Sequence, residues 1–150
     1  MIDKAHSALA QYGSLVARIF LAAIFLLSGF NKIMSFAGTA GFIESVGLPA
    51  GALLASIAII IEIGAGILLL IGWQGRVAAW VLIVFTALAT AFFHLDFGDQ
   101  LQTTMFLKNL AIMGGLLMVA MHGTGAFSLG CSCGSSACLE CGGKKLEANR

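Results

Sequence analysis

Four cysteines stand within eleven residues, Cys131, Cys133, Cys138 and Cys141, in the run C-S-C-G-S-S-A-C-L-E-C-G-G-K-K. Thiolates are soft ligands for zinc, copper(I) and iron–sulfur clusters, and they are also the nucleophiles of thiol redox chemistry. The spacing Cys133-x4-Cys138-x2-Cys141 reproduces the three-cysteine loop of plant-type 2Fe–2S ferredoxins, with Cys131 available upstream as a fourth ligand. A four-thiolate zinc or copper(I) site fits the same donors. Redox-active or persulfide-carrying thiols are a second reading, and a tail that binds nothing is a third. Lys144 and Lys145 nearby favour the thiolate form.

A second set of reactive groups is scattered through apolar sequence: Arg18, Lys32, Glu62, Arg76, His94, Lys108 and Asn109. Their setting follows from composition. The 150 residues are 59% apolar and only 10% charged, with mean hydropathy +1.00. A water-soluble domain carries about 25% charged residues, and one of this size cannot hide so much apolar surface. Disorder requires low hydrophobicity and high net charge. A net charge of +1 provides no basic field for nucleic acid. An integral membrane protein remains.

Four runs, 14–34, 50–72, 76–95 and 105–122, have the length of a membrane-spanning helix, about 20 residues. None alternates in polarity as a barrel strand must. The predicted fold is therefore an all-α integral membrane bundle of four transmembrane helices. The connection at 73–75 is short enough to make a tight helical hairpin. Residues 35–48 carry Phe36, Phe42, Ile43 and Val46 and read as a short interfacial or re-entrant segment, with Pro49 opening the next helix. Residues 96–104 read as a polar loop. Residues 1–130 form the membrane domain, and 131–150 a cysteine-rich tail too short for its own core. Six Lys and Arg on the side shared by the N-terminus, the hairpin and the tail face two on the other, which predicts both termini in the cytoplasm.

Ionisable groups in lipid are costly and turn toward the bundle interior, a partner or a polar cavity. Helical spacing puts Arg18, Phe25, Gly29 and Lys32 on one stripe, Arg76, Ile83, Ala87, Thr90 and His94 on another, and Lys108, Ile112, Gly115, Val119 and His122 on a third. Glu62 lies about 15 Å from one end of its helix and Arg18 about 6 Å inside the same face. That depth predicts an Arg18–Glu62 pair, with Arg76 at the cytoplasmic mouth. The pair serves either as a structural ion pair or in proton transfer or ligand binding, and a solitary, protonated Glu62 is the third reading. At the opposite end Lys32, His94, Lys108 and Asn109 either reach toward headgroups or form a pocket for the polar head of a quinone or an anionic sulfur compound.

The run L-V-A-R-I-F-L-A-A-I-F-L-L-S-G-F-N-K-I at 15–33 resembles the opening helix of the DoxX family of small bacterial membrane proteins. The resemblance continues through F-A-G-T-A-G-F-I-E-S-V-G-L-P, I-E-I-G-A-G-I-L-L-L-I-G, G-R-V-A-A, F-F-H and K-N-L-A-I-M-G-G-L-L. It closes on G-T-G-A-F-S-L at 123–129, so that it covers about 13–130 in order. The resemblance implies a four-helix membrane bundle and a link to membrane oxidoreductase systems, one branch of the family forming part of thiosulfate:quinone oxidoreductase. It carries Arg18, Gly29, Lys32, Glu62, Arg76, His94 and Lys108 as matched positions, without assigning catalysis to any. The cysteine tail is a departure from the family pattern.

The expectation is a membrane subunit of a redox system, linked to quinone and to thiol or sulfur chemistry, with tail thiols binding zinc, copper or an iron–sulfur cluster or carrying redox equivalents. The alternative is a non-enzymatic anchor or a small-ligand or metal transport component. The sequence has no haem-attachment motif, no Rossmann glycine loop and no bis-histidine pair within the spans. Electrons would have to come through a quinone, a soluble or membrane oxidoreductase partner, or the tail. Membrane lipid is the other expected partner, nucleic acid is not, and the glycine-rich spans (Gly64, Gly66, Gly114, Gly115) fit packing within one chain or in a homo-oligomer.

Overall fold

Hydrocarbon offers the backbone no hydrogen bonds, so a long apolar run satisfies its own by coiling into a helix. The computed structural model describes residues 2–125 and 127–129. It contains five helices: α1 (Ile2–Met34), α2 (Phe36–Ser45), α3 (Gly51–Ile71), α4 (Gly75–Phe93) and α5 (Gln100–His122). Four contain segments long and apolar enough to cross a membrane, Tyr12–Met34, Gly51–Ile71, Gly75–Phe93 and Gln100–His122, and no strand occurs among the described residues. The all-α, four-span architecture expected from the sequence is the one observed.

Three boundaries differ from expectation. α1 extends back to Ile2. α5 begins at Gln100 rather than near 105, because Asp99 caps it: its Oδ1 accepts from the Leu101 N–H at 3.0 Å. The polar stretch 96–104 is thus half loop and half first helical turn. Pro49 stands ahead of the α3 cap instead of opening the helix, and Ala50 takes the cap in a left-handed conformation (φ 58°). The 73–75 hairpin is as tight as expected, turning through Gly72 (φ 75°) and Gln74 (φ 48°).

The segment after α1 is a ten-residue helix, α2, lying against α3. The Glu44 carboxylate accepts the orphan N–H of Gly51 at the start of α3 (3.2 Å), and Phe42 stacks on Phe93 of α4 with ring centres 5.3 Å apart. Around this frame α1 packs along α3, α3 along α4, α4 along α5, and α5 touches α1.

Small residues let these helices approach closely, as membrane helices must when no hydrophobic effect drives them together. Gly66 receives Leu26, and Gly115 receives Leu21. Gly64 and Gly114, by contrast, face open space. The core is built from Ala65, Leu69, Ala78, Ala79, Leu82 and Leu116 and their neighbours, nearly all in the half of the bundle that ends in the 72–75 hairpin. Phe20, Leu27, Ile60, Val84 and Leu117 point outward, an apolar exterior suited to lipid.

The chain after α5 folds back over that same end. Gly123 and Gly125 take φ of 87° and 78°, a region open to glycine. The turn lets Ser14 donate to the Thr124 carbonyl (3.0 Å), Arg76 to the Met121 carbonyl (2.9 Å) and the Leu129 N–H to the Ile71 carbonyl (3.1 Å). Arg18 donates to the carbonyl of Phe127, whose ring stacks on Tyr12. One half of the bundle is therefore solid and covered.

Candidate functional site

The other half is hollow. Its geometry starts at Gly29 of α1, which sits directly against α3: a Cβ there would lie 2.7 Å from Ile63 Cγ1 and 3.3 Å from the Glu62 Cβ. That contact sets the register of the two helices. Lys32 follows by three residues, so one helical turn brings its ammonium onto Glu62. The Lys32 Nζ donates to both carboxylate oxygens, at 2.8 and 2.9 Å, and to the Ser28 hydroxyl at 2.7 Å. Ser28 in turn donates to Glu62 Oε1 at 3.2 Å. Glu62 is buried, whereas the lysine is a quarter exposed.

This corrects the expected Arg18–Glu62 pair. Arg18 precedes Gly29 by eleven residues, about 16 Å along the helix, which puts it level with Gly72 at the hairpin rather than with Glu62. It is fully buried there beneath the closing segment, and its Nε and Nη1 have no hydrogen-bond partner among the described residues. Arg76 leaves its predicted inward stripe, as does Ala87. The buried face of α4 runs instead through Ala78, Ala79, Leu82, Thr86 and Thr90. Arg76 is drawn sideways to the carbonyl end of α5, where a helix terminus attracts a cation.

Lys32 and Glu62 form part of the wall of a cavity of about 660 Å³, within the range of small-molecule sites. His94, Lys108 and Asn109 line it too. Five of the seven intramembrane residues singled out from the sequence thus meet at one cavity, and two do not. His94 Nδ1 lies 2.7 Å from Gln102 Oε1, a bond in which the ring nitrogen must donate, because a carbonyl oxygen only accepts. Its Nε2 is left to a further partner. Asn109 donates to Thr90 (2.9 Å), and Thr90 to the Thr86 carbonyl (2.7 Å). Lys108 is exposed at the rim, bonded to the Met105 sulfur at 3.0 Å.

Two contributors escaped the sequence reading. Ser28 completes the Lys32–Glu62 network, and its spacing of four from Lys32 was the available signal. Thr86 is buried, lines the cavity and has a hydroxyl without a partner among the described residues. Its spacing of four from Thr90 marked it, but threonines in apolar helices usually bond back to their own helix. Among the described residues no group of three His, Cys, Asp or Glu converges as metal ligands. Cys131, Cys133, Cys138 and Cys141 lie outside the described residues.

Residues 13–95 match the family model described as DoxX. The inner membrane protein YqjF of Escherichia coli (strain K12) is 38% identical over 121 residues, spanning 81% of this chain and 92% of that protein. The inner membrane protein YphA of the same organism is 40% identical over 121 residues, spanning 77% of this chain and 86% of that protein. No solved structure matches the chain. With a family match across more than half its length and two relatives of this similarity, the chain belongs to the DoxX family of membrane proteins.

Proposed function

We propose that the protein is the membrane subunit of a redox system and that its cavity holds the ring of a quinone. The observation that carries the reading is a hydrogen-bonded ion pair, Lys32 with the buried Glu62, set in the wall of a mostly apolar cavity. Apolar walls suit a flat ring, and a few polar groups at one place orient it. Lys108 and Asn109 keep N–H groups for carbonyl oxygens, and Thr86 has a hydroxyl to spare. Glu62 and His94 are the groups able to hold or pass a proton at the site. A bound quinone accepts two electrons together with two protons. The residues therefore fit the group by their chemistry.

The two relatives named as inner membrane proteins support placing this chain in a bacterial inner membrane. The excess of Lys and Arg on the hairpin side supports a cytoplasmic location for both termini and for the tail. In that arrangement Cys131, Cys133, Cys138 and Cys141 are the thiol or metal chemistry of the same system, and electrons come from an oxidoreductase partner.

The test is binding of 2,3-dimethoxy-5-methyl-1,4-benzoquinone to the protein in nanodiscs, followed by calorimetry, with native mass spectrometry of gently solubilised protein for a co-purifying redox chain. Saturable binding that weakens about fivefold in Thr86→Val is expected, since the hydroxyl donor lost toward a quinone oxygen is worth about 1 kcal/mol. No saturable binding to the native protein overturns the reading. Binding without any redox partner favours a small-ligand transport component instead.

A further inference from the structure

His94 ends α4 as its C-cap residue, with its backbone N–H bonded to the Thr90 carbonyl at 3.0 Å. Gln102 stands in the first turn of α5, whose start Asp99 fixes by capping. The turn at 95–99 between the two helices brings Gln102 Oε1 to 2.7 Å from His94 Nδ1. His94 lines the cavity and Gln102 does not, so the ring meets the cavity by the edge that Gln102 leaves free. A neutral imidazole has one N–H and one lone pair, and the bond made at one nitrogen decides the state of the other. With the proton held on Nδ1 by the amide oxygen, Nε2 faces the ligand space as an acceptor.

That separates His94 from its polar neighbours in the wall. Lys108 and Asn109 offer N–H groups. Glu62 already accepts from Lys32 at both oxygens and from Ser28 at one. We infer that Gln102 is a positioning residue: without touching the ligand, it presents His94 Nε2 to the cavity as a hydrogen-bond acceptor. The site then prefers a ligand hydroxyl to a ligand carbonyl at this point. On the quinone reading, on which this last step rests, the preferred form is the reduced ring. A hydroquinone O–H donates to the Nε2 lone pair, whereas a quinone oxygen in the same place sets lone pair against lone pair. The state of the His94 ring itself follows from Gln102 and does not depend on which ligand the cavity holds.

Two measurements in nanodiscs test this. Nitrogen NMR of isotope-labelled histidines, at a pH where the imidazoles are neutral, reads the tautomer directly, with the His94 signals assigned by their loss in His94→Gln. The native ring is expected to carry its proton on Nδ1. Gln102→Met keeps the side-chain length and helix propensity but removes the acceptor, and the proton is expected to leave Nδ1 for Nε2. Calorimetry then compares 2,3-dimethoxy-5-methyl-1,4-benzoquinone with its hydroquinone, kept reduced in the absence of oxygen. In Gln102→Met the quinone is expected to bind about fivefold more tightly, because the freed ring turns an N–H to its oxygen, while the hydroquinone stays within about twofold. Damage to packing alone would weaken both probes, and that result overturns the inference. A native ring protonated on Nε2 and bare on Nδ1 overturns it whichever probe binds. If the native protein binds neither probe, the quinone reading falls and the preference for the reduced ring falls with it. The assignment of Gln102 as a positioning residue then stands or falls on the tautomer alone.

Discussion

Lys32 reaches Glu62 because Gly29, one turn earlier on the same helix, has no side chain to hold α3 away. The ion pair and the close approach are one device. Helix packing determines which cation meets the carboxylate, and the pair in turn occupies the point where the solid half of the bundle gives way to the cavity.

Breaking that pair from either side leaves a charge in apolar surroundings. Glu62→Ala and Lys32→Ala are each expected to lower stability by roughly 3 kcal/mol, the low end for a buried pair because Lys32 can turn toward the rim. The double replacement Lys32→Ala/Glu62→Ala should cost clearly less than the two single losses added together. Reversible unfolding in detergent checks this. Strict additivity would show that the two side chains do not depend on each other.

Gly29→Ala places a methyl 2.7 Å from Ile63 Cγ1 and should destabilise the bundle by about 1–3 kcal/mol through overpacking. Gly64→Ala is the control two residues beyond Glu62. Nothing stands within 4 Å of its new methyl, so the helix should gain up to about 1 kcal/mol from the better propensity. Thermal melts of the two variants should move in opposite directions, and a parallel shift would contradict the register.

Asp99→Ala removes the side-chain cap at the start of α5 and should cost about 1 kcal/mol, whereas Asp99→Asn keeps an acceptor oxygen and should be nearly neutral. Glu62→Gln should disturb the protein more than Asp99→Asn. Equal tolerance of these two amide substitutions would mean that Glu62 does not occupy a costly interior position.

Arg18→Met addresses the covered end. It removes the bond to the Phe127 carbonyl and with it a hold on the segment after α5. It also removes buried nitrogens that lack partners among the described residues. Amide exchange at Leu129, bonded to Ile71, is expected to accelerate, while the melting temperature stays level or rises. A large loss of global stability with unchanged exchange at Leu129 would refute the assignment of Arg18 as a lock on that segment.

Much of this molecule is legible without coordinates. Composition alone identifies a membrane bundle, run lengths count its spans, and the cost of charge in lipid marks Glu62 as interior, while Lys32, His94, Lys108 and Asn109 stay divided between headgroups and a pocket until the contacts are known. The sequence also marks Arg18 as interior, and it is buried. These properties are written along a single helix, where residue type and the 3.6 period suffice.

Pairing is not written that way. Depth along the membrane favoured Arg18 as the partner of Glu62, but the partner depends on how α1 and α3 slide past each other. That is settled where Gly29 meets Ile63 and Gly66 meets Leu26. The same holds for Thr86, ordinary in its own helix and orphaned only once α4 is packed, and for the G-x-G turn that folds the chain back over Arg18. The sequence by itself determined which groups must be hidden from lipid. Only the tertiary structure decided which of them meet, because a meeting depends on the fit between two helix surfaces and neither surface contains it alone.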